Sequence, residues 1–277
     1  MVIHITLLDG RDTVLVMANT SAVPGTIKNS KTGTIAKRIG ISVGLVTSSI
    51  VVGFLFAIAL GFGVAAVTGG LPTDFVSVLE IVTTQSGFAA VTIAFLGGVT
   101  GWRFINIRRP TRSELRLVAP ALVTVLAIEA LRQFAVHLGY VGAAGTLSTP
   151  EEISAIAAAT LLGLTVILAP LAEELFFRGV VQQYVADAAS PAVGIAVATI
   201  LFVPVHGLGI LLTASSLLAA IAVVFVLVVL STALGVAYAR TQNLAVPIVI
   251  HAGYNLLTIF VAIAVQHIPL AAGFSVF

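Results

Sequence analysis

Apolar runs of about 20 residues recur along most of this chain, and they constrain its fold more than any other feature. Each run is long enough to cross a hydrocarbon core of about 30 Å as an α-helix. Of the 277 residues, 59% are hydrophobic and only 9% are charged, whereas a soluble domain carries about 25% charged residues. The runs do not alternate between apolar and polar residues, as the strands of a transmembrane barrel would. The sequence therefore predicts an all-α, polytopic bundle of transmembrane helices.

About seven spans are predicted, separated by joints rich in glycine and proline. They cover residues 40–68, 76–100, 115–136, 154–186, 191–210, 214–238 and 244–266. The fourth span is too long for one straight crossing, and Pro170 is predicted to kink it. Three regions follow from this division: a polar leader (1–38), two N-terminal helices with a basic loop (39–110), and a transmembrane core (111–277).

The basic residues predict the orientation of the bundle. With the N-terminus inside, all eleven basic residues that flank the spans lie on the cytoplasmic side: Arg11, Lys28, Lys31, Lys37, Arg38, Arg103, Arg108, Arg109, Arg112, Arg116 and Arg240. The outside loops then hold Asp74, Glu151 and Glu152, and no lysine or arginine. This asymmetry follows the positive-inside rule. We expect a cytoplasmic leader and an outside C-terminus.

Several kinds of catalytic site are excluded or disfavoured. The chain has no cysteine, which excludes disulfides, thiolate metal ligands and a cysteine nucleophile. It has no H-E-x-x-H motif, which argues against the membrane metalloproteases that use it. The stretch "GISVG" satisfies the G-x-S-x-G pattern of serine hydrolases, but it opens the first span without a suitable histidine motif later. Its glycines and those of other Gly-rich stretches are interpreted as close helix contacts; they are Gly40, Gly44, Gly61, Gly63, Gly97, Gly98 and Gly101.

Polar residues within the later spans are the functional candidates. A charged side chain near the bilayer centre costs at least about 2.5–3.5 kcal/mol, so each one requires a reason. The residues concerned are Glu173, Glu174, Arg178, His206, His251 and Asn255. Glu129 and Arg132, three residues apart, are instead predicted to neutralise each other inside the bundle.

Helical spacing assigns different tasks to the two adjacent glutamates. Glu174 and Arg178 are four residues apart, lie on one helix face and can form an ion pair. Glu173 is rotated by about 100° from Glu174 and cannot share that arginine equally. One glutamate is thus available for structure and the other for chemistry.

Two further helices contribute the remaining candidates. His251 and Asn255 are four residues apart on one face, and Phe202 and His206 repeat that spacing on another helix. A desolvated glutamate can act as a general base toward water while histidine or asparagine stabilises an oxyanion. Alternatively, glutamate and histidine can hold a divalent metal whose bound water is the nucleophile. The residues leave both mechanisms open.

The three motifs together resemble the signature of the CAAX protease and bacteriocin-processing family, also called the Abi family. These intramembrane proteases include the type II CAAX prenyl endopeptidases. The motifs are Glu173-Glu174-x-x-x-Arg178, Phe202-x-x-x-His206 and His251-x-x-x-Asn255. Gly179 after the arginine, and "TQNLAVPIVIHAGYN" before and within the third motif, also fit. The resemblance covers about residues 160–260 and marks region 111–277 as a CAAX protease-like core.

The resemblance implies a role for each motif residue. Glu173 would activate water, and Glu174 would hold Arg178 and the local geometry. His206 would help to bind the water, or a metal if one is present. His251 and Asn255 would polarise the scissile carbonyl or complete the site. Zinc or another divalent metal at Glu173, His206 and His251 is a further expectation, and Phe202 is interpreted as a packing residue.

An intramembrane endopeptidase acting on a peptide or a lipid-modified protein is the function that the resemblance implies. The lipid bilayer is its expected surrounding, no nucleic-acid partner is expected, and the oligomeric state is left open. One alternative is a non-proteolytic immunity or scaffold protein of the same fold. A more distant alternative is a transporter, since intramembrane charges mark those as well. The sequence shows neither the repeats nor the paired broken helices of transporters.

Overall fold

The computed structural model describes residues 24–70, 73–102, 105–137, 155–214 and 216–266. Within these ranges the chain is helical and has no β-strand. The α-helices are α1 (Pro24–Thr68), α2 (Thr73–Phe95), α3 (Arg112–His137), α4 (Ala155–Gly163), α5 (Ala169–Glu174), α6 (Gln183–Ala186), α7 (Pro191–Thr213), α8 (Leu217–Thr241) and α9 (Ala245–Gln266). Three π-helical segments accompany them: π1 (Leu96–Thr100), π2 (Leu164–Leu168) and π3 (Leu175–Gln182).

These elements form seven continuous helical segments in the described part of the chain, and each corresponds to one predicted span. Four stretches are long and apolar enough to cross a membrane: Thr32–Thr68, Val78–Thr100, Ala158–Ala186 and Leu217–Thr241. The apolar stretches of α7 and α9, Pro191–Gly207 and Ala245–Val261, are shorter. The all-α membrane bundle is therefore confirmed. Of the described segments, four are both long enough and apolar enough to span a membrane.

The first helix begins earlier than predicted. Helix α1 starts at Pro24, inside the predicted polar leader, and not near residue 40. Proline suits the start of a helix because its missing N–H has no intrahelical partner there. Residues 1–23 of the leader lie outside the described residues, as do Arg103, Glu151 and Glu152 of the topology prediction.

The fourth segment is not a uniform α-helix. Segment π2 ends directly before α5, and π3 follows directly after it. The N–H of Ala169 donates to the carbonyl of Leu164, and Pro170 then has no N–H to offer. A kink is predicted at Pro170; the structure shows π-turns on both sides of the short helix that carries Glu173 and Glu174. Such turns are frequent at functional sites.

An aromatic cluster joins three segments of the bundle beside this helix. Phe88 of α2 lies 4.9 Å from Phe176, measured between ring centroids. Phe176 and Phe177 of π3 are 5.0 Å apart, and Phe177 lies 5.1 Å from Phe202 of α7. All four side chains are at most 1% exposed. Helix α2 therefore packs on the same core as π3 and α7.

Close contacts between helix backbones occur at different glycines from those predicted. A Cβ at Gly87 would overlap the carbonyl oxygen of Ser49, and a Cβ at Gly53 would lie 2.9 Å from the carbonyl oxygen of Thr83. These two glycines let α1 and α2 approach closely. Among the described residues, a Cβ at Gly40, Gly44, Gly63, Gly97, Gly98 or Gly101 would meet nothing within 4 Å, so that interpretation is wrong for these six glycines. Composition does not reveal which glycines lie against a neighbouring helix.

Candidate active site

Glu173 lies at the centre of a buried polar cluster formed by α2, α5, α7 and α9. Its side chain is 6% exposed. Oε1 accepts a hydrogen bond of 2.8 Å from Nε2 of Gln85. Oε2 lies 3.2 Å from Nε2 of His206 and 3.7 Å from Nε2 of His251. The structure thus brings together Glu173 and both predicted histidines, which come from three separate parts of the chain.

The second nitrogen of each histidine has its own acceptor. Nδ1 of His206 lies 3.0 Å from the carbonyl oxygen of Phe202, and Nδ1 of His251 lies 2.8 Å from Oε1 of Glu174. Because a carbonyl oxygen cannot donate, Nδ1 of His206 carries the proton, and in the neutral ring Nε2 carries the lone pair. A carboxylate partner favours the same tautomer in His251. Both Nε2 atoms therefore face an oxygen of Glu173 that is itself an acceptor, an arrangement suited to a shared water or proton.

Glu174 and Arg178 form the predicted ion pair. Nε of Arg178 lies 3.1 Å from Oε2 of Glu174, and both side chains are fully buried. Nη2 of Arg178 donates to the carbonyl and the hydroxyl of Ser231 at 3.0 and 3.1 Å. The hydroxyl of Ser231 in turn donates to Oγ1 of Thr199 at 3.1 Å. Arg178 thereby ties the region of the two glutamates to α8 and α7.

Phe202 has the packing role that was predicted. Its ring stacks on the His206 ring with 4.0 Å between centroids, and the guanidinium of Arg178 lies 5.2 Å from the Phe202 centroid. The stack and the hydrogen bond at Nδ1 together hold the His206 ring. His206 keeps 26% of its side chain exposed, whereas Glu173 and His251 keep 6% and 4%. The cluster is thus most accessible on the His206 side.

Asn255 lies one turn beyond His251 on α9, where its amide meets π2. Nδ2 donates to the carbonyl oxygen of Thr165 at 2.9 Å. That carbonyl belongs to a π-helical turn, where the regular hydrogen-bond ladder is altered. Only one of the two amide hydrogens is needed for this bond. Asn255 therefore links α9 to π2 and keeps one further N–H.

The turn before α9 explains why the lead-in to the third motif has its particular residues. The side-chain oxygen of Asn243 accepts from the N–H of Ala245 at 3.2 Å and caps α9. The same oxygen accepts from the N–H of Arg108, also at 3.2 Å. Gln242, with a positive φ of 48°, reverses the chain between α8 and α9. These hydrogen bonds hold the turn at which α9, the helix that carries His251, begins.

The loop that carries Arg108 is itself anchored. Arg108 donates two hydrogen bonds to Glu114, at 2.8 and 2.6 Å. These bonds, reinforced by the N–H of Thr111, lower the pKa of Glu114 to about 2. Asn106 donates to the carbonyl of Gln242 at 2.6 Å, so the loop holds the α8–α9 turn at two points.

The side chains of the cluster carry atoms that bind metals, but in the part of the chain that the structure describes their arrangement does not form a metal site. Carboxylate oxygen and imidazole nitrogen are both zinc ligands. Within the described ranges, however, no group of three or more His, Cys, Asp or Glu side chains is arranged so that it could hold an ion. Zinc or another divalent metal at Glu173, His206 and His251 therefore stays a prediction, and no step below is routed through it.

Gln85 is the main residue that the sequence reasoning missed. It lies on α2, 6% exposed, in a segment without any of the three motifs. The signal that selected the other candidates, a polar side chain within an apolar span, applies to Gln85 as well, although it is uncharged and lies in the second predicted span, ahead of the three motifs. The ion pair outside the site was predicted correctly: Nη2 of Arg132 lies 2.7 Å from Oε1 of Glu129, and both side chains are buried.

Fold and site together define an integral membrane protein with a buried carboxylate–imidazole cluster. The sequence model of the family described as "Type II CAAX prenyl endopeptidase Rce1-like" matches residues 155–257. This match confirms the family resemblance over the segment that holds the three motifs. At the level of the family it implies a CAAX-type intramembrane endopeptidase with a protein or peptide substrate. No curated protein and no solved structure matches the chain.

Proposed function

We propose that this protein is an intramembrane endopeptidase in which Glu173 activates the water that attacks the peptide bond. One observation carries the proposal: Oε2 of Glu173 faces Nε2 of His206 at 3.2 Å and Nε2 of His251 at 3.7 Å inside the bundle. The family match over residues 155–257 supports the reaction class. A buried carboxylate beside two imidazoles is a suitable general base toward water.

Attack on the peptide bond begins with a water molecule that lies beside Glu173 and His206 and contacts both. Oε2 of Glu173 accepts one proton of this water, while the lone pair on Nε2 of His206 accepts a hydrogen bond from the other. The water oxygen forms a bond to the scissile carbonyl carbon, and the carbonyl π electrons move onto its oxygen. Collapse of this intermediate breaks the C–N bond, and the proton held by Glu173 passes to the departing amine.

Two groups on α9 are suited to the negative charge that develops on the carbonyl oxygen. His251 can donate from Nε2 when its ring is protonated, and the carboxylate of Glu174 at Nδ1 stabilises that charged ring. Asn255 can donate the amide hydrogen that it does not use on Thr165. Donors of this kind stabilise the transition state because they are held in place before the reaction.

The substrate is proposed to be a peptide or a lipid-modified protein that reaches the site from the bilayer on the His206 side. His206 is the most exposed of the three clustered residues, with 26% of its side chain accessible. A substrate already anchored in the membrane would approach such a site without leaving the lipid.

Cleavage of quenched fluorescent peptides by purified protein in lipid vesicles tests the proposal. Peptides with and without a prenyl group should be compared, because the substrate class is part of the proposal. Glu173→Gln keeps the shape but removes the base, so the cleavage rate should fall by at least about 10²-fold. Glu80→Gln, the same change at an exposed glutamate of α2, is the matched control and should cleave at the wild-type rate.

Two results would contradict this function. Glu173→Gln protein that cleaves as fast as wild type would leave the mechanism without its base. Folded wild-type protein that cleaves no peptide in either series would favour the non-proteolytic scaffold or immunity role.

A further inference from the structure

Gln85 connects the N-terminal helices to the proposed general base. Its amide Nε2 donates to Oε1 of Glu173 at 2.8 Å, across 88 positions of sequence. The direction of this bond is certain because an ionised carboxylate only accepts. Gln85 lies on α2, outside the segment 155–257 that matches the family. No residue within that segment is hydrogen-bonded to Oε1 in the described part of the chain.

The hydrogen bond at Oε1 determines which oxygen of Glu173 is available for chemistry. The terminal torsion of a glutamate side chain is broad and roughly two-fold, so packing alone does not fix the plane of its carboxylate. With Oε1 held by Gln85, the plane is set and Oε2 is the oxygen that faces both histidines.

The position of Gln85 is fixed by the packing of α2 on both sides. Gly87, two residues along, lies against the backbone of α1, where any Cβ would overlap Ser49. Phe88, three residues along and on the same face as Gln85, lies 4.9 and 5.4 Å from the rings of Phe176 and Phe177. Helix α2 is thus held between α1 and π3 at the level of Glu173.

We infer that Gln85 is a positioning residue of the active site, and that α2 belongs to the catalytic unit although it lies outside the family match. The inference rests on the proposed function. Gln85 orients Glu173 by holding Oε1, and it acts on the reaction through Glu173 alone. Removing its N–H should therefore reduce turnover without weakening substrate binding.

The chain contains a chemically matched control for this hydrogen bond. Gln133 on α3 donates from Nε2 to Oε1 of Glu129 at 2.9 Å. Gln85 and Gln133 are buried to a similar extent, with 6% and 8% of the residue exposed. Both are glutamine-to-glutamate bonds inside the bundle, and only one of them involves the proposed base. A purely structural role would give the same result at both positions.

Kinetics of Gln85→Met and Gln133→Met in lipid vesicles separate the two roles. Methionine matches glutamine in shape and cannot donate. We expect kcat of Gln85→Met to fall by about 10- to 100-fold, the range found when a residue that orients a metal-binding side chain is removed. KM should stay within about two-fold of wild type, and Gln133→Met should keep both constants. Equal kcat values in the two variants, beside an inactive Glu173→Gln, would overturn the inference.

A second variant keeps the test valid if Gln85→Met does not fold. Gln85→Asn retains a polar amide within the membrane, but it is one methylene shorter and withdraws the donor from Oε1. Its kcat should fall in the same way as that of Gln85→Met. Wild-type kcat in folded Gln85→Asn would show that the donor at Oε1 is not needed.

Infrared spectroscopy tests the positioning without any turnover, so that its failure is distinguishable from failure of the proposed function. In protein labelled with ¹³C-glutamate, the carboxylate stretch of Glu173 is the band that Glu173→Gln removes. This band should shift in Gln85→Met and stay in place in Gln133→Met. An unshifted band would overturn the inference even in a protein that cleaves peptides, and a shifted band would support it even in one that does not.

Discussion

At the scale of single residues, Glu173 and Glu174 are neighbours in the chain with separate sets of partners. Glu173 contacts Gln85, His206 and His251, whereas Glu174 contacts Arg178 and Nδ1 of His251. The helical rotation of about 100° between adjacent positions separates them. Arg178 compensates the charge of Glu174 beside the cluster, which leaves Glu173 to the histidines.

Loss of the arginine should destabilise the protein as well as inactivate it. Arg178→Ala leaves Glu174 without its cationic partner in a fully buried site, and breaking such a pair costs about 3–5 kcal/mol. The double change Glu174→Gln with Arg178→Met removes the stranded charge and should recover much of the free energy of unfolding. Thermal unfolding and peptide cleavage measure the two effects.

Arg132→Ala is the matched control for this prediction, because Arg132 and Glu129 form a second buried pair away from the site. It should lower the unfolding temperature, while the protein that stays folded should keep its kcat. A stable, active Arg178→Ala protein would show that the pair is dispensable.

Metal dependence is a separate prediction from water activation by Glu173. If Glu173, His206 and His251 hold zinc or another divalent cation, elemental analysis of purified protein should find it in stoichiometric amount. The double change His206→Ala with His251→Ala should lose the metal, and a strong chelator should abolish cleavage. Full activity after exhaustive chelation would contradict the metal prediction and leave Glu173 as a base that needs no metal.

At the scale of elements, two local structural features help to position the motif residues. Segments π2 and π3 flank α5 and alter the regular helix on both sides of the glutamates. The hydrogen bonds at Asn243 hold the turn at which α9, the helix that carries His251, begins. Both features depend on backbone geometry that the helical repeat of the sequence does not predict.

Asn243→Ala should impair the site by loosening the start of α9. Asn243 is fully buried, and its side chain accepts from the N–H groups of Ala245 and Arg108. Loss of a helix cap costs about 0.5–2 kcal/mol, and we expect kcat to fall as His251 loses its fixed orientation. Measurements of the unfolding temperature and of kcat test both statements.

Ser216→Ala removes a comparable cap, because the Ser216 hydroxyl accepts from the N–H of Ala219 at the start of α8. It should cost similar stability with little loss of kcat. Equal kcat losses in Asn243→Ala and Ser216→Ala would mean that capping affects activity only through general stability.

At the scale of the whole molecule, α1 and α2 pack on the core that carries the motifs. The buried cluster that contains Phe176 and Phe202 also includes Val46 of α1 and Phe88 of α2. The family match begins only at residue 155. The protein therefore places its matched segment within a larger bundle, and the orientation of that bundle in the membrane is a property of the whole chain.

The charge distribution predicts that the N-terminus and the loop around Arg108 are cytoplasmic and that the C-terminus is outside. Since the chain has no cysteine, single cysteines can be introduced without background labelling. In spheroplasts, an impermeant maleimide should label Asp74→Cys directly, but Lys31→Cys and Arg108→Cys only after permeabilisation. Labelling of Lys31→Cys and Arg108→Cys from opposite sides would contradict this topology.

The sequence by itself predicted the fold class, the approximate helix positions and most of the residues that meet in the candidate site. Apolar run length, helical rotation and the cost of intramembrane charge are local properties, and they sufficed to select Glu173, Glu174, Arg178, His206, His251 and Asn255. They also predicted the Glu174–Arg178 and Glu129–Arg132 pairs correctly.

The tertiary structure alone decided which distant side chains meet. It brought Gln85 to Glu173 across 88 positions and made Gly53 and Gly87 the contact glycines in place of the predicted ones. It also placed the amide of Asn255 on the carbonyl of Thr165. The relative rotation and depth of two helices depend on all the side chains packed between them. The periodic pattern within a single helix does not predict the combined effect of these contacts.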